Sequence, residues 1–174
     1  MIVAKAIKPA RFKSEAFTQA ITAAANDAAK QIQKDFEATT KTWTHKPRFV
    51  KEVDVKTSPV QVLVGTDDEI YRYVDEGTKP HPIFAGIYTG KSNKKALAFQ
   101  WGGPGSYRAK TSPGVIGSKA GGPTGPMVAF PFVQHPGTKP RNFDKTIQKK
   151  WEPRFKRLME KALSLGARES GHSI

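Results

Sequence analysis

The chain has 174 residues, with 29 Lys and Arg against 15 Asp and Glu, a net charge of +14 and a pI near 10.0. Such a length suits one domain, and the charge points to nucleic acid, an anionic membrane or acidic partners. The absence of Cys removes disulfide, zinc-thiolate and thiol-nucleophile chemistry, and no apolar run approaches the roughly 18 residues of a membrane span.

Residues 1–13 read as an extended arm, with Pro9 blocking early helix and Lys5, Lys8, Arg11 and Lys13 keeping it solvated. Met1-Ile2-Val3-Ala4 is too short an apolar start for a signal peptide, and the chain reads as made in the cytosol. Ser14 suits an N-cap and Glu15 the first turn of a helix over about 15–38. Its apolar positions, Phe17, Ala20, Ile21, Ala24, Ala25, Ala28, Ile32 and Phe36, recur at helical spacing. The small residues in that stripe predict that another element packs close.

Thr39 to Lys51 reads as strand or extended loop. Val53 and Val55, then Val60, Val62 and Val64, alternate with polar residues, predicting two antiparallel strands joined near Thr57-Ser58-Pro59. Asp67-Asp68-Glu69 is the one acidic cluster, and it precedes Ile70-Tyr71-Arg72-Tyr73-Val74. A second strand pair is expected from Lys95 to Trp101 and from Met127 to Val133, with Pro131 marking an edge or bulge. Between them, residues 102–126 hold eight Gly and four Pro, the composition of a long, flexible loop.

Asn142 is placed to cap a last helix with apolar positions Phe143, Ile147, Trp151, Phe155, Leu158, Ala162 and Leu165. Ile147, Trp151, Phe155 and Leu158 are its expected core. Pro153 should kink it and Gly166 should end it, leaving a disordered tail over 167–174. The opposite face carries Lys145, Lys149, Lys150, Arg154, Lys156, Arg157 and Lys161. The fold class is therefore α+β: a mostly antiparallel sheet packed by a long N-terminal helix and a kinked C-terminal one, in a single domain over 14–166.

From Gly77 to Phe143 there is no Asp or Glu, yet Lys79, Lys91, Lys94, Lys95, Arg108, Lys110, Lys119, Lys139 and Arg141 are all cationic. Such a stretch must face water, an acidic partner or a polyanion. Loop cations Lys91, Lys94, Lys95, Arg108, Lys110 and Lys119 are the candidates to meet DNA phosphates, a contact that needs no base readout. The tetrapeptide Gly-Thr-Lys-Pro occurs twice, as Gly77-Thr78-Lys79-Pro80 before His81-Pro82 and as Gly137-Thr138-Lys139-Pro140 after His135-Pro136. Gly permits positive φ and Pro fixes the exit, so each copy predicts a rigid turn at a strand end. Gly77, Thr78, Lys79, His135, Pro136, Gly137, Thr138 and Lys139 are accordingly the candidate subunit-interface turns. His81 and His135 lie in the acid-free region, where a structural bond from a ring nitrogen to a loop carbonyl is expected rather than metal ligation or catalysis. No catalytic or metal-binding motif stands out, and neither cofactor nor enzymatic activity is expected.

Tyr73-Val74-Asp75-Glu76-Gly77-Thr78, then Ala96-Leu97-Ala98-Phe99, then His135-Pro136-Gly137-Thr138-Lys139-Pro140 leading to Phe143 and a terminal helix, resembles the tail-completion or neck family of long-tailed bacteriophages. This group includes proteins of the minor tail protein Z type, and the resemblance spans about residues 14–165. Many members carry Arg-Pro-Ala near the last helix start where this chain has Asn142-Phe143-Asp144-Lys145. The resemblance implies a structural virion protein assembled in the host cytoplasm. It would self-associate in a ring, sixfold by expectation, at the head–tail junction around the DNA channel. Head-closure and tail-terminator or tail-tube rings would be its neighbours, and it would make non-specific contact with packaged DNA and none with membrane. The alternatives are a tail-terminator or head-closure subunit of the same region, and a non-virion basic nucleic-acid-binding module stacking bases on Trp43, Phe49, Tyr71 and Tyr73. A small nuclease built on Asp67, Asp68 and His81 is the enzyme alternative.

Overall fold

Two long helices and six short strands make up most of the regular structure in the computed structural model, which describes residues 13–56 and 59–172. The arm expected over 1–13 thus lies outside the described residues except for Lys13, as do Thr57 and Ser58 of the first hairpin and residues 173–174 of the tail. The chain divides into two compact units. One takes Met1–Gln33, Val50–Gly65 and Lys149–Ile174, and the other Lys34–Phe49 and Thr66–Gln148.

In the first unit, helix α1 (Ser14–Thr39) contributes Ala25, Ala28 and Ala29, all fully buried. The last helix, α4 (Phe143–Glu169), is kinked with Pro153 inside it, where the ring removes an amide donor and crowds the preceding turn. α4 approaches α1 closely at Phe17. A Cβ at Gly166 would stand 2.8 Å from the Phe17 Cα, so only glycine permits that approach. Gly166 is therefore a contact residue and not a helix stop. The helix continues to Glu169, Ala167 and Ser170 are buried, and the Ser170 hydroxyl donates to the Lys13 carbonyl at 3.1 Å. The tail thus begins later than the glycine suggested. Trp151 and Ala162 complete the buried face, while Phe155 and Leu158 are half-buried and Leu165 is exposed. Strands β1 (Val50–Asp54) and β2 (Gln61–Gly65) pair antiparallel as the alternation predicted, with Val53 opposite Val62.

The second unit is organised around Tyr71. Its ring lies 5.1 Å from Phe49, 5.6 Å from Phe143, 6.1 Å from Trp43 and 6.3 Å from Phe36. Aromatic pairs at such separations add to the burial of their apolar area. Burial pushes the Tyr71 phenol above its ordinary pKa, against the pull of the Thr39 hydroxyl that donates to it. Tyr71 belongs to a helix, not a strand: α2 (Glu69–Glu76) puts Tyr71 and Asp75 four residues apart on one buried face. The Asp68 carboxylate caps it by accepting the Tyr71 N–H at 2.7 Å, and Gly77 ends it at φ 79°. Cap and stop outweighed the β-favouring composition of Ile70 to Val74.

The remaining strands are β3 (His81–Phe84), β4 (Leu97–Gln100), β5 (Met127–Phe130) and β6 (Phe132–His135), with a short helix, α3 (Gly86–Thr89), after β3. The pairs β3–β6 and β4–β5 are both antiparallel. The fold is α+β, but its strands form three separate two-stranded ribbons instead of one sheet. Pro131 explains part of this. It splits the expected strand from Met127 to Val133 in two, so that its halves pair with different partners.

Candidate interaction surface

Both Gly-Thr-Lys-Pro copies lie in the second unit, and they meet. Thr78 N–H donates to the Thr138 carbonyl at 2.9 Å and Thr138 N–H donates back at 3.0 Å. The bridge continues the β3–β6 register, which sets His81 opposite His135 and Phe84 opposite Phe132. Identical residues thus face each other at Thr78 and Thr138, His81 and His135, and Phe84 and Phe132. Gly77 and Gly137 hold φ of 79° and 84°, in the left-handed region that favours glycine. A Cβ at Gly77 would lie 2.6 Å from the Thr138 carbonyl oxygen, and one at Gly137 would overlap the Thr78 carbonyl. The two turns form an internal clasp. Their glycines and threonine backbones are engaged with each other, which leaves Lys79, Pro136 and Lys139 as the exposed candidate interface residues here.

The histidine rings stand 5.2 Å apart. His81 Nδ1 lies 2.8 Å from the Lys79 carbonyl, the structural bond expected from the sequence, with the ring nitrogen donating. His135 Nδ1 instead accepts the Gly137 N–H at 3.1 Å, so it carries no proton there. Withdrawal from water holds His135 below its ordinary pKa, and His81 adds to the effect.

The clasp also anchors α4. The Asp75 carbonyl accepts the N–H groups of Arg141 and Asn142 at 3.0 Å each, and its carboxylate accepts that of Phe143. Asn142 was expected to cap this helix. It sits instead at φ 52°, and the side-chain cap comes from Asp75, 68 residues away. Burial pushes the Asp75 carboxyl above the ordinary carboxylate value, with the Phe143 N–H pulling down and Asp144 adding to the rise.

The loop cations fall into two groups. Lys91, Lys94 and Lys95 are exposed around the turn after α3, where the Lys94 carbonyl accepts the Ile87 N–H at 3.0 Å. Arg108, Lys110 and Lys119 lie on the 102–126 segment. Arg108 and Gly122 exchange backbone bonds at 3.0 and 2.7 Å, and Lys119 N–H donates to the Lys110 carbonyl at 2.8 Å. The segment is fastened to the end of α1, because the Ser118 hydroxyl donates to Ala38 and accepts from Thr42. Lys110 Nζ donates to the Thr42 carbonyl at 3.2 Å, so it is committed within the fold, while Arg108 and Lys119 remain exposed. The unit therefore presents five of the six loop cations to solvent.

Beside those cations, sequence reasoning missed the exposed apolar surface of the ribbons. Phe84, Phe132, Met127, Tyr88 and Trp101 are between 43% and 64% exposed. The signal was present: four-residue strands interrupted by Pro82 and Pro131 are too short to bury both faces. Two of the four aromatics named as stacking platforms, Phe49 and Tyr71, are core residues. Asp68 is engaged with the α2 cap and the His45 ring, and not with His81. Among the described residues, no three His, Cys, Asp or Glu side chains could hold a metal ion, and no helix is long and apolar enough to cross a membrane.

No protein-family model, curated protein or solved structure matches this chain.

Proposed function

We propose that this protein is a structural subunit of the head–tail junction of a long-tailed bacteriophage, a tail-completion or neck component that forms a ring around the DNA channel. The observation that supports this best is the convergence of the resembling motifs. Tyr73 to Thr78 and His135 to Pro140 lie some sixty residues apart, yet they build one clasp from which α4 starts. A rigid clasp of this kind gives a ring subunit a fixed frame for its neighbours. The ribbons offer the surface to use: exposed aromatics on short strands, with exposed cations nearby. Exposed aromatics that pair on these ribbons, Phe84 with Phe132 and Trp101 with Phe130, suit a face that meets another chain. Two-stranded ribbons also keep unpaired edges, which a neighbouring subunit can cover. The positive balance suits a channel wall, because phosphate attraction is independent of sequence and lets DNA slide.

The test is position. In a reconstruction of virions that carry this protein, its fold should occupy a closed ring at the junction, with head-closure and tail-terminator or tail-tube rings as neighbours. Particles without density for it there would refute the assignment, and density in an adjacent ring would make it a terminator or head-closure subunit.

A further inference from the structure

The loop cations are not the only basic surface, and the first unit carries one with a built shape. A groove of about 410 Å³ runs between α1 and α4, lined by Gln31, Trp151, Arg154, Arg157, Leu158 and Lys161. Trp151 is its buried floor. The Arg154 guanidinium sits 5.9 Å from the centre of that ring and Lys150 Nζ 6.0 Å from it. Contact with the ring restrains both cations, as cation–π pairs do. Arg157 is restrained differently: its Nε donates to the Pro153 carbonyl at 3.2 Å, which leaves both terminal nitrogens for a ligand. Arg154, Arg157 and Lys161 are exposed, and neither ion pair found among the described residues includes any of them.

We propose that this groove binds the sugar-phosphate backbone of nucleic acid and is the main phosphate-contacting surface of the chain. The spacing favours a polyanion over a single anion. Arg154, Arg157 and Lys161 are three or four residues apart, so they form a row with steps of about 4.5–6 Å and a length of about 10 Å. One inorganic phosphate needs donors that converge on a point. A row of that length instead spans several successive phosphates of one strand, which recur every ~3.4 Å along a duplex. Two guanidiniums, each offering a planar fork of donors, suit phosphate oxygens well. Trp151 lies beneath the cations and contributes no stacking face, so the contact reads charge and not base identity. This deepens the ring proposal and rests on it only for the anion being DNA.

Fluorescence anisotropy with a labelled random-sequence duplex, titrated across salt concentrations, tests the groove directly. The glutamine triple R154Q/R157Q/K161Q is compared with K91Q/K94Q/K95Q, which removes the same charge elsewhere. The groove triple should flatten the slope of log affinity against log salt by about 0.9 per lost contact, hence by about 2–3 units, and the loop triple by less than one. Circular dichroism must show both variants folded, and these substitutions are confined to exposed side chains. Equal losses in the two triples would make the effect one of net charge and overturn the proposal. So would absence of duplex binding by the wild-type chain. Poly-glutamate bound through the groove in place of duplex would overturn it too, and would assign the groove to an acidic protein. Ring assembly is measured separately by mass, so failure here leaves that reading standing and the reverse is equally true.

Discussion

Thr78 and Thr138 exchange their backbone hydrogen bonds at 2.9 and 3.0 Å, and the Thr138 N–H lies a further 3.0 Å from the Thr78 hydroxyl. This is why the same tetrapeptide appears twice. Each copy must supply a small residue at positive φ, a threonine that pairs with its counterpart, and a proline that turns the chain away.

Alanine at either glycine should therefore unlatch the clasp. G77A and G137A each add left-handed strain and a Cβ that overlaps a carbonyl. Each should lose at least about 2 kcal/mol in urea denaturation. Gly114 also has positive φ but open space around it, so G114A should lose only the strain, about 1–2 kcal/mol. Equal losses at all three positions would mean that the close approach contributes nothing.

Asp75 gives a pH dependence with a defined sign. Its folded pKa is raised, so the native state holds its proton to higher pH than the unfolded chain does. The contribution of this group to stability is therefore largest at low pH and falls as pH rises from the ordinary carboxylate range, near 4, through the folded value. D75N keeps an acceptor for the Phe143 N–H and should abolish that fall. D75A removes the cap and should cost about 1–2 kcal/mol. Chemical denaturation of the three proteins between pH 3 and pH 7 separates these outcomes.

His135 works in the opposite direction. Its folded pKa is lowered, so the unfolded chain binds the proton first and the stability it contributes is lost as pH falls below about 6.5. NMR titration should find His135 below the ordinary histidine value, and H81N should raise it by removing the neighbouring ring's charge. A His135 value that H81N leaves unmoved would contradict the coupling.

Trp151 and Phe155 were both expected in the core, and the structure separates them. W151A should cost about 3–5 kcal/mol, because the side chain is buried. F155A should cost distinctly less, as its ring is half-buried. In the 102–126 segment, S118A removes both a donor and an acceptor at the end of α1 and should cost about 1 kcal/mol. Deleting the whole segment should destabilise the chain for the same reason, contrary to what its composition suggests.

Helical periodicity made α1 and α4 legible in the sequence, and alternation made β1, β2 and the β4–β5 pair legible, because those signals are local. What stayed hidden depends on distant partners. α2 was masked by Ile70, Tyr71, Tyr73 and Val74, whose side chains favour strands, although Asp68 and Gly77 were readable as its cap and stop. The 102–126 segment has the composition of a mobile loop, and its hydrogen bonds from Ser118 and Lys110 to the end of α1 join residues far apart in sequence. Asn142 has good capping chemistry, but Asp75 supplies the side-chain acceptor, and no local pattern reveals that. Of the candidate surface, the cations and the repeated turns could be read. The pairing of the turns could not, and the exposed aromatic ribbons were signalled only by the prolines that keep their strands short.

The most direct test of the central claim is the mass of the purified chain, by size-exclusion chromatography with light scattering at tens of micromolar. A ring subunit should elute as a closed multiple of its 19.1 kDa mass, with six copies expected. Replacing Phe84 and Phe132 by serine on the exposed ribbon should return it to monomer. A wild-type chain that remains at 19.1 kDa across the concentration range, and gains mass only when duplex DNA is added, would contradict the ring and leave a nucleic-acid-binding module in its place.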